Sequence, residues 1–209
     1  MSGYTRPAVP EQVFRDENGA VIDYGNRWGT DSPPEETYSV VSNPERFAPL
    51  RRVAEALVEH LTATYDVLVE EDLSVAGDGV VRAVRLTPRV ADAAALTVVL
   101  LDDHSVLVHA GLLHDFPFPG CGCDACDATW RSEADGLEEL VLGVAEGHYG
   151  ERVTRWPRPW MQYSLAGPHG RVSSGGQVAN RVPRHRRSAA HAALRRLDGR
   201  PWRQWPRRP

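Results

Sequence analysis

The chain has 209 residues, a length that suits one compact domain with flanking segments or two small domains. Its 42% hydrophobic and 25% charged residues exclude a disordered or fibrous chain and predict a packed core. No apolar run approaches the roughly 20 residues of a transmembrane helix, and the N-terminus lacks the apolar segment of a signal peptide. We therefore expect a soluble cytoplasmic protein without a membrane partner.

Charge is distributed unevenly along the chain. All 24 basic residues are arginine, as a GC-rich coding bias would produce, so arginine at any single position carries no functional weight. Residues 1–150 hold 10 Arg and 26 acidic residues, whereas residues 151–209 hold 14 Arg and 2 acidic residues. The net charges of −16 and +12 predict either attraction between the two parts or an anion-binding C-terminal segment.

The first two predicted units are an extended arm and a helix. Residues 1–42 contain helix-breaking prolines and one turn signal, which indicate an irregular arm with a short hairpin. In residues 43–65, Asn43 can cap a helix and Pro44 suits its first turn. Apolar residues then recur at three- and four-residue steps, which is typical of an amphipathic helix.

A sheet and a second helix are expected next. Residues 66–113 have the alternation and turn signals of four strands in two hairpins, followed by a loop up to residue 120. Residues 127–148 predict the second helix, and residues 151–156 and 160–166 predict two further strands. Residues 173–176 are expected to be a flexible hinge, residues 184–197 a short helix and residues 200–209 disordered.

This order is helix, four strands, helix, two strands. It predicts an α+β fold, in which an antiparallel sheet carries the helices on one face. The predicted organisation is an N-terminal arm (1–42), an α+β domain (43–176) and an Arg-rich tail (177–209) that is partly helical or disordered.

Three segments carry a resemblance to a known family. They are VFRDENGAVIDYGNRWG at 13–29, NPERFAPL at 43–50 and CGCDACD at 121–127. Together they resemble a family of unknown function from high-GC bacteria, with a similarity that runs from about residue 12 to about residue 176. The resemblance implies no activity, cofactor or site residue.

The three cysteines of the chain lie within six residues, at Cys121, Cys123 and Cys126. Thiolates at such spacing suit a tetrahedral zinc site, and His114 is the nearest candidate for a fourth ligand. The other candidates are Asp115, Asp124 and His109. Two interpretations remain beside zinc: a thiol-redox pair ahead of a helix, or reduced thiols that simply pack.

The Arg-rich tail is the second candidate site, because arginines neutralise phosphates and aromatic rings stack on bases. The candidate nucleic-acid-binding residues are Arg184, Arg186, Arg187, Arg195, Arg196, Trp202 and Trp205. Alternatively, the tail pairs with the acidic body of the same chain or of a second copy.

No catalytic residue is predicted, because the chain lacks a phosphate-binding glycine loop, a nucleophile elbow and a His-Glu-x-x-His motif. The sequence therefore favours a non-catalytic interaction or accessory module with a structural zinc site, whose partner is a protein or a second copy. The alternatives are a nucleic-acid-associated protein and a thiol-redox or metal-dependent enzyme.

Overall fold

The computed structural model describes residues 3–72, 77–154, 160–167, 172–178 and 184–209. The helices are α1 (Pro49–Thr64), α2 (Trp130–Ala145) and α3 (Arg184–Leu197), with 3-10 turns at Glu35–Thr37, Pro44–Phe47 and Asp124–Cys126. The strands are β1 (Phe14–Arg15), β2 (Val21–Ile22), β3 (Val67–Glu71), β4 (Val80–Pro88), β5 (Leu96–Leu101), β6 (Val106–Ala110), β7 (His114–Phe118), β8 (Tyr149–Thr154), β9 (Trp160–Ala166) and β10 (Val172–Val178). The predicted α+β class is confirmed, whereas the strands lie in a five-stranded sheet, a three-stranded sheet and the short β1-β2 pair, and not in the one antiparallel sheet that was predicted.

The larger sheet is an antiparallel meander with strand order β3-β4-β5-β6-β7. Its central strand β5 is apolar along almost its whole length and buried from Leu96 to Leu100, as expected for a strand covered on both faces. The four strands predicted from residues 66–113 are therefore confirmed as β3 to β6.

Strand β7 corrects the loop that was predicted between residue 113 and the cysteines. Its register pairs His114 with Ala110 and Phe118 with Val106. Pro117 is tolerated because β7 lies at the edge of the sheet, where a missing backbone N–H breaks no ladder on the open side. Proline in the sequence favoured a loop over a strand, but a strand at the edge of a sheet can contain proline.

Helices α1 and α2 pack against each other and share one apolar core with the sheet. The core-facing stripe of α1 includes Leu50, Leu57 and Leu61, all at most 1% exposed. Helix α2 begins at Trp130, later than predicted, because Thr129 caps it: its hydroxyl accepts a hydrogen bond from Ser132 N at 3.1 Å.

The second sheet is antiparallel with strand order β10-β9-β8. Its third strand contradicts the predicted hinge at residues 173–176. Gly175 pairs with Tyr163, and a Cβ at Gly175 would come within 2.7 Å of the Tyr163 ring. A Cβ at Gly176 would collide with the Trp160 indole. The two glycines therefore allow aromatic side chains to cover the strand, and they do not form a linker.

The C-terminal segment also differs from its prediction: residues 200–209 were expected to be disordered, and this is wrong. Trp202 is 4% exposed and Trp205 is 1% exposed, and both belong to the same core cluster as α1 and α2. Trp202 N donates to Tyr149 O at 2.8 Å, and Trp205 N donates to Ala145 O at 2.9 Å. Two indoles bury enough apolar area to order the segment, while its arginines stay at the surface.

Helix α3 covers the residues that were predicted, 184–197, and buries Ala190 and Leu197. None of the helices in the described ranges combines the length and apolar character that a bilayer crossing requires.

Candidate metal centre

The three cysteine sulfur atoms lie close together. Cys121 Sγ is 3.3 Å from Cys123 Sγ, which is 3.4 Å from Cys126 Sγ, and all three lie within 4.8 Å of one another. A tetrahedral zinc ion with Zn–S bonds near 2.3 Å requires sulfur separations of about 3.8 Å. The three side chains can therefore hold one metal ion with only small adjustments.

Local backbone geometry produces this convergence. Residues 124–126 form a 3-10 turn, closed by a hydrogen bond from Cys126 N to Cys123 O at 3.2 Å. In a 3-10 helix, residues three apart eclipse each other, so the turn aligns Cys123 with Cys126. Asp127 then takes a left-handed conformation with φ of 50° and directs the chain towards α2.

A buried arginine donates a hydrogen bond to the backbone of the cysteine loop. Arg46 is only 2% exposed, and its Nη2 donates to Gly122 O at 2.8 Å. The same guanidinium donates to Asn43 O at 3.1 Å and lies 4.4 Å from the ring centre of Tyr24. The cysteine loop is thereby joined to the N-terminal arm through a cation whose donors are used for backbone contacts.

A buried carboxylate makes the second link to the arm. Asp124 is 4% exposed and accepts hydrogen bonds from the backbone N–H and hydroxyl of Ser42. Its Oδ1 lies 3.6 Å from Arg46 Nη1, and its N donates to Val40 O at 2.7 Å. Asp124 therefore anchors the loop and is engaged away from the sulfur atoms, so it is not positioned as a fourth ligand.

The thiols differ in their acidity. Cys123 accepts hydrogen bonds from the Cys121 thiol and from backbone N–H groups, which lowers its pKa to about 7. The hydrogen bonds of Cys126 with Cys121 and Cys123, together with their negative charge, raise the pKa of Cys126 to about 12. Cys121 and Cys126 are exposed, so the cluster opens to solvent.

The sequence suggested His114 as the fourth ligand, but the structure does not place it with the three sulfur atoms. As a residue of β7 opposite buried Ala110, it turns into the core and is 4% exposed. Its Nδ1 lies 2.9 Å from Glu151 Oε1, and its ring packs edge-on against Tyr163. The strand that replaced the predicted loop explains this correction, because strand register decides which face a side chain occupies.

The remaining candidates for a fourth ligand also lie elsewhere. His109 Nδ1 is 2.6 Å from Asp115 Oδ1, so these two residues contact each other on the sheet. Among the described residues, the group that can hold a metal comprises the three cysteines and no histidine or carboxylate.

Sequence reasoning missed a buried carboxylate, Glu151, on the core side of β8. Its Oε1 accepts from Leu113 N at 2.9 Å and contacts His114, while its Oε2 accepts from Leu112 N at 2.9 Å and from Trp202 Nε1 at 3.1 Å. An acidic residue in a strand ordinarily indicates a solvent-facing position, so no sequence signal distinguished it.

The predicted nucleic-acid-binding residues differ in their exposure to solvent. Trp202 and Trp205 are buried, so their rings are not available for stacking on bases. Arg195 and Arg196 are exposed near the end of α3. The side chains of Arg184, Arg186 and Arg187 lie outside the described part of the chain.

The chain belongs to a family of unknown function, DUF6226, whose family model matches residues 10–209. The match extends past residue 176, where the resemblance in the sequence ended, and it includes the buried tryptophans of the C-terminal segment. No curated protein and no solved structure matches the chain.

Proposed function

We propose that this member of a family of unknown function is a non-catalytic interaction or accessory module, in which Cys121, Cys123 and Cys126 hold one zinc ion. The convergence of the three sulfur atoms within 4.8 Å supports the proposal. All the cysteines of the chain are used in this one cluster. Thiolates of this kind favour zinc over hard cations such as calcium or magnesium.

The role of the ion is to order a surface. All three ligands come from one six-residue loop, so the ion closes no long chain segment and constrains the unfolded state little. The loop is instead the point at which Arg46 and Asp124 attach the N-terminal arm. Zinc therefore stabilises the docked arm more than the distant core.

The arm beside the cluster carries the features of an interaction surface. Tyr38, Val40 and Val41 are 55%, 45% and 47% exposed, and the backbone carbonyl of Val40 accepts from Asp124 N. Exposed apolar side chains on an otherwise acidic half of the chain favour contact with another protein. A metal site that fixes their positions suits an accessory role.

Metal content of the full chain, purified without a metal-binding tag, tests the proposal. We expect about one zinc per chain by elemental analysis, and Cys123→Ser should release it. His104→Asn is the matched control, because His104 is exposed in a turn with φ of 71°, which Asn accepts. A metal-free protein whose three thiols are all alkylated in the folded state would contradict the proposal.

Substitution with cobalt separates the structural role from a metal-dependent enzyme. If a fourth ligand from a second copy or from outside the described residues closes the site, the cobalt protein should give an intense four-coordinate absorption band that small anions such as cyanide do not change. A band that shifts with added anion indicates an exchangeable position, as in catalytic zinc sites, and would favour the enzyme alternative.

A further inference from the structure

A groove of about 580 Å³ lies on the outer face of the second sheet, on the opposite side of β8 from the Glu151 carboxylate. Residues 199–201 form one of its walls. We call it the outer groove. The exposed side chains that line it and carry polar or aromatic groups for a ligand are Arg152, Trp160, Gln162, Ser164, Ser174 and Arg200.

Strand register explains both the shape and the chemistry of the outer groove. Directly paired residues of antiparallel strands share a face. One row across the sheet is Arg152, Gln162 and Gly176, and the next row is Gly150, Ser164 and Ser174. Each row contains a glycine on an outer strand, so the sheet lacks a side chain at that point. The result is a depression with polar groups on its floor.

The outer groove is cationic. Arg152 and Arg200 are both exposed, and within the described ranges neither forms an ion pair with a carboxylate. The Glu151 carboxylate faces the core, where Leu112, Leu113 and Trp202 donate to it. A smaller adjoining cavity adds another arginine, Arg195, together with Asp198. The groove belongs to the part of the sequence that carries the net charge of +12.

An aromatic ring lies beside these cations. Trp160 lines the groove, is 38% exposed and lies over Gly176, where any Cβ would collide with the indole nitrogen. An aromatic ring, arginines and an amide are the groups that bind the three parts of a nucleotide, which are its base, phosphate and sugar. A base stacks on an indole, a phosphate pairs with guanidinium groups, and an amide with hydroxyls binds the sugar or the base edge.

We propose that the outer groove binds a nucleotide unit, either free or within a single strand. Arg152 and Arg200 bind its phosphate, Trp160 stacks on its base, and Gln162 with Ser164 contacts its sugar or base edge. The volume lies within the range of about 300–1,000 Å³ that small-ligand sites occupy. This site shares no residue with the cysteine cluster, so its test is independent of the metal.

Binding of two probes to the full chain tests the proposal. One is a fluorescein-labelled octanucleotide of single-stranded RNA, followed by anisotropy at low salt, and the other is AMP, followed by calorimetry. For whichever probe binds, we expect Trp160→Ala to weaken the affinity about tenfold. We expect Arg152→Ala combined with Arg200→Ala to weaken it further and to reduce its salt dependence. Arg51→Ala on α1 is the matched control for an exposed arginine and should bind as the unaltered chain does.

The pattern of competition decides the ligand and its source. If AMP displaces the octanucleotide and the same concentration of inorganic phosphate does not, the ligand is a nucleotide unit. If the octanucleotide binds and AMP does not, the nucleotide unit comes from a single strand. Trp160→Phe keeps an aromatic ring and should retain most of the affinity, which excludes misfolding as the cause of a loss. The proposal is overturned if neither probe binds, if phosphate competes as well as AMP, or if Trp160→Ala matches Arg51→Ala.

Discussion

The indole nitrogen of Trp202 lies 3.1 Å from Oε2 of Glu151, deep in the protein. This hydrogen bond connects the C-terminal segment to β8 across 51 residues of sequence. Glu151 also accepts from the backbone that enters β7, at Leu112 and Leu113. One carboxylate therefore connects both sheets and the C-terminal segment through hydrogen bonds.

Removal of the Glu151 carboxylate should destabilise the fold strongly. Glu151→Ala removes the carboxylate that accepts from the Leu112 and Leu113 N–H groups and from the Trp202 indole N–H, and each lost hydrogen bond to a buried charged acceptor costs about 1–3 kcal/mol. We expect a total loss of roughly 3–5 kcal/mol from these three donors together. Urea unfolding measures it. Glu55→Ala, which breaks an exposed pair with Arg51, is the control and should change stability by less than about 0.5 kcal/mol.

Deletion of residues 201–209 should unfold or severely destabilise the protein. Trp202→Ala and Trp205→Ala each remove a buried ring, at a cost of about 3–5 kcal/mol. Trp205→Phe should cost less, because it keeps one buried aromatic ring and removes only part of the indole and the hydrogen bond to Ala94 O at 2.8 Å. Arg203→Ala is the control within the same segment, since its side chain is 69% exposed. A truncated chain with an unchanged melting temperature would refute the packing of the two tryptophans in the core.

Gly111 should tolerate no side chain. It has φ of 63°, and a Cβ there would collide with the Glu151 carboxylate. Gly29 has φ of 53°, and a methyl group added there would meet no atom within 4 Å, so Gly29→Ala isolates the backbone strain, about 1 kcal/mol. We expect Gly111→Ala to cost at least about 2 kcal/mol more than Gly29→Ala in denaturant unfolding. Equal costs would show that the carboxylate moves aside freely.

Arg46→Lys should loosen the N-terminal arm. Lysine cannot reproduce the planar set of donors that contacts Gly122 O and Asn43 O, nor the stacking on Tyr24. We expect a loss of roughly 1–3 kcal/mol and faster hydrogen exchange in residues 38–47. Exchange in α2 should change less. Arg52→Lys, at an exposed position of α1, is the control and should leave both regions unchanged.

His60 should make folding stability depend on pH. Burial, and then the nearby charge of Arg207, lowers its pKa below the ordinary value of 6.5 in the folded state. The unfolded chain therefore binds a proton at a higher pH than the folded chain does. Stability should fall as the pH drops below about 6.5 towards the lower folded pKa. His60→Gln should reduce this decrease, which unfolding at pH 7.5 and pH 5.5 measures; an identical decrease in both proteins would contradict the assignment.

Local sequence determined the features that depend on neighbouring residues. The apolar stripe of residues 50–61 was sufficient to identify α1, because helix periodicity lies within one segment. The spacing of Cys121, Cys123 and Cys126 was likewise sufficient to indicate a metal-binding group, since a single turn brings the sulfur atoms together. Alternation and turn signals identified β3 to β6 for the same reason.

Only the tertiary structure decided the features that depend on distant contacts. His114 faces the core because β7 pairs with β6, and Glu151 is buried because donors from separate segments meet it. The arginines around Trp202 and Trp205 suggested a disordered tail, yet both indoles fill the core beside α1 and α2. The free energy of burial belongs to the assembled surfaces and not to the segment itself, so composition could not reveal it.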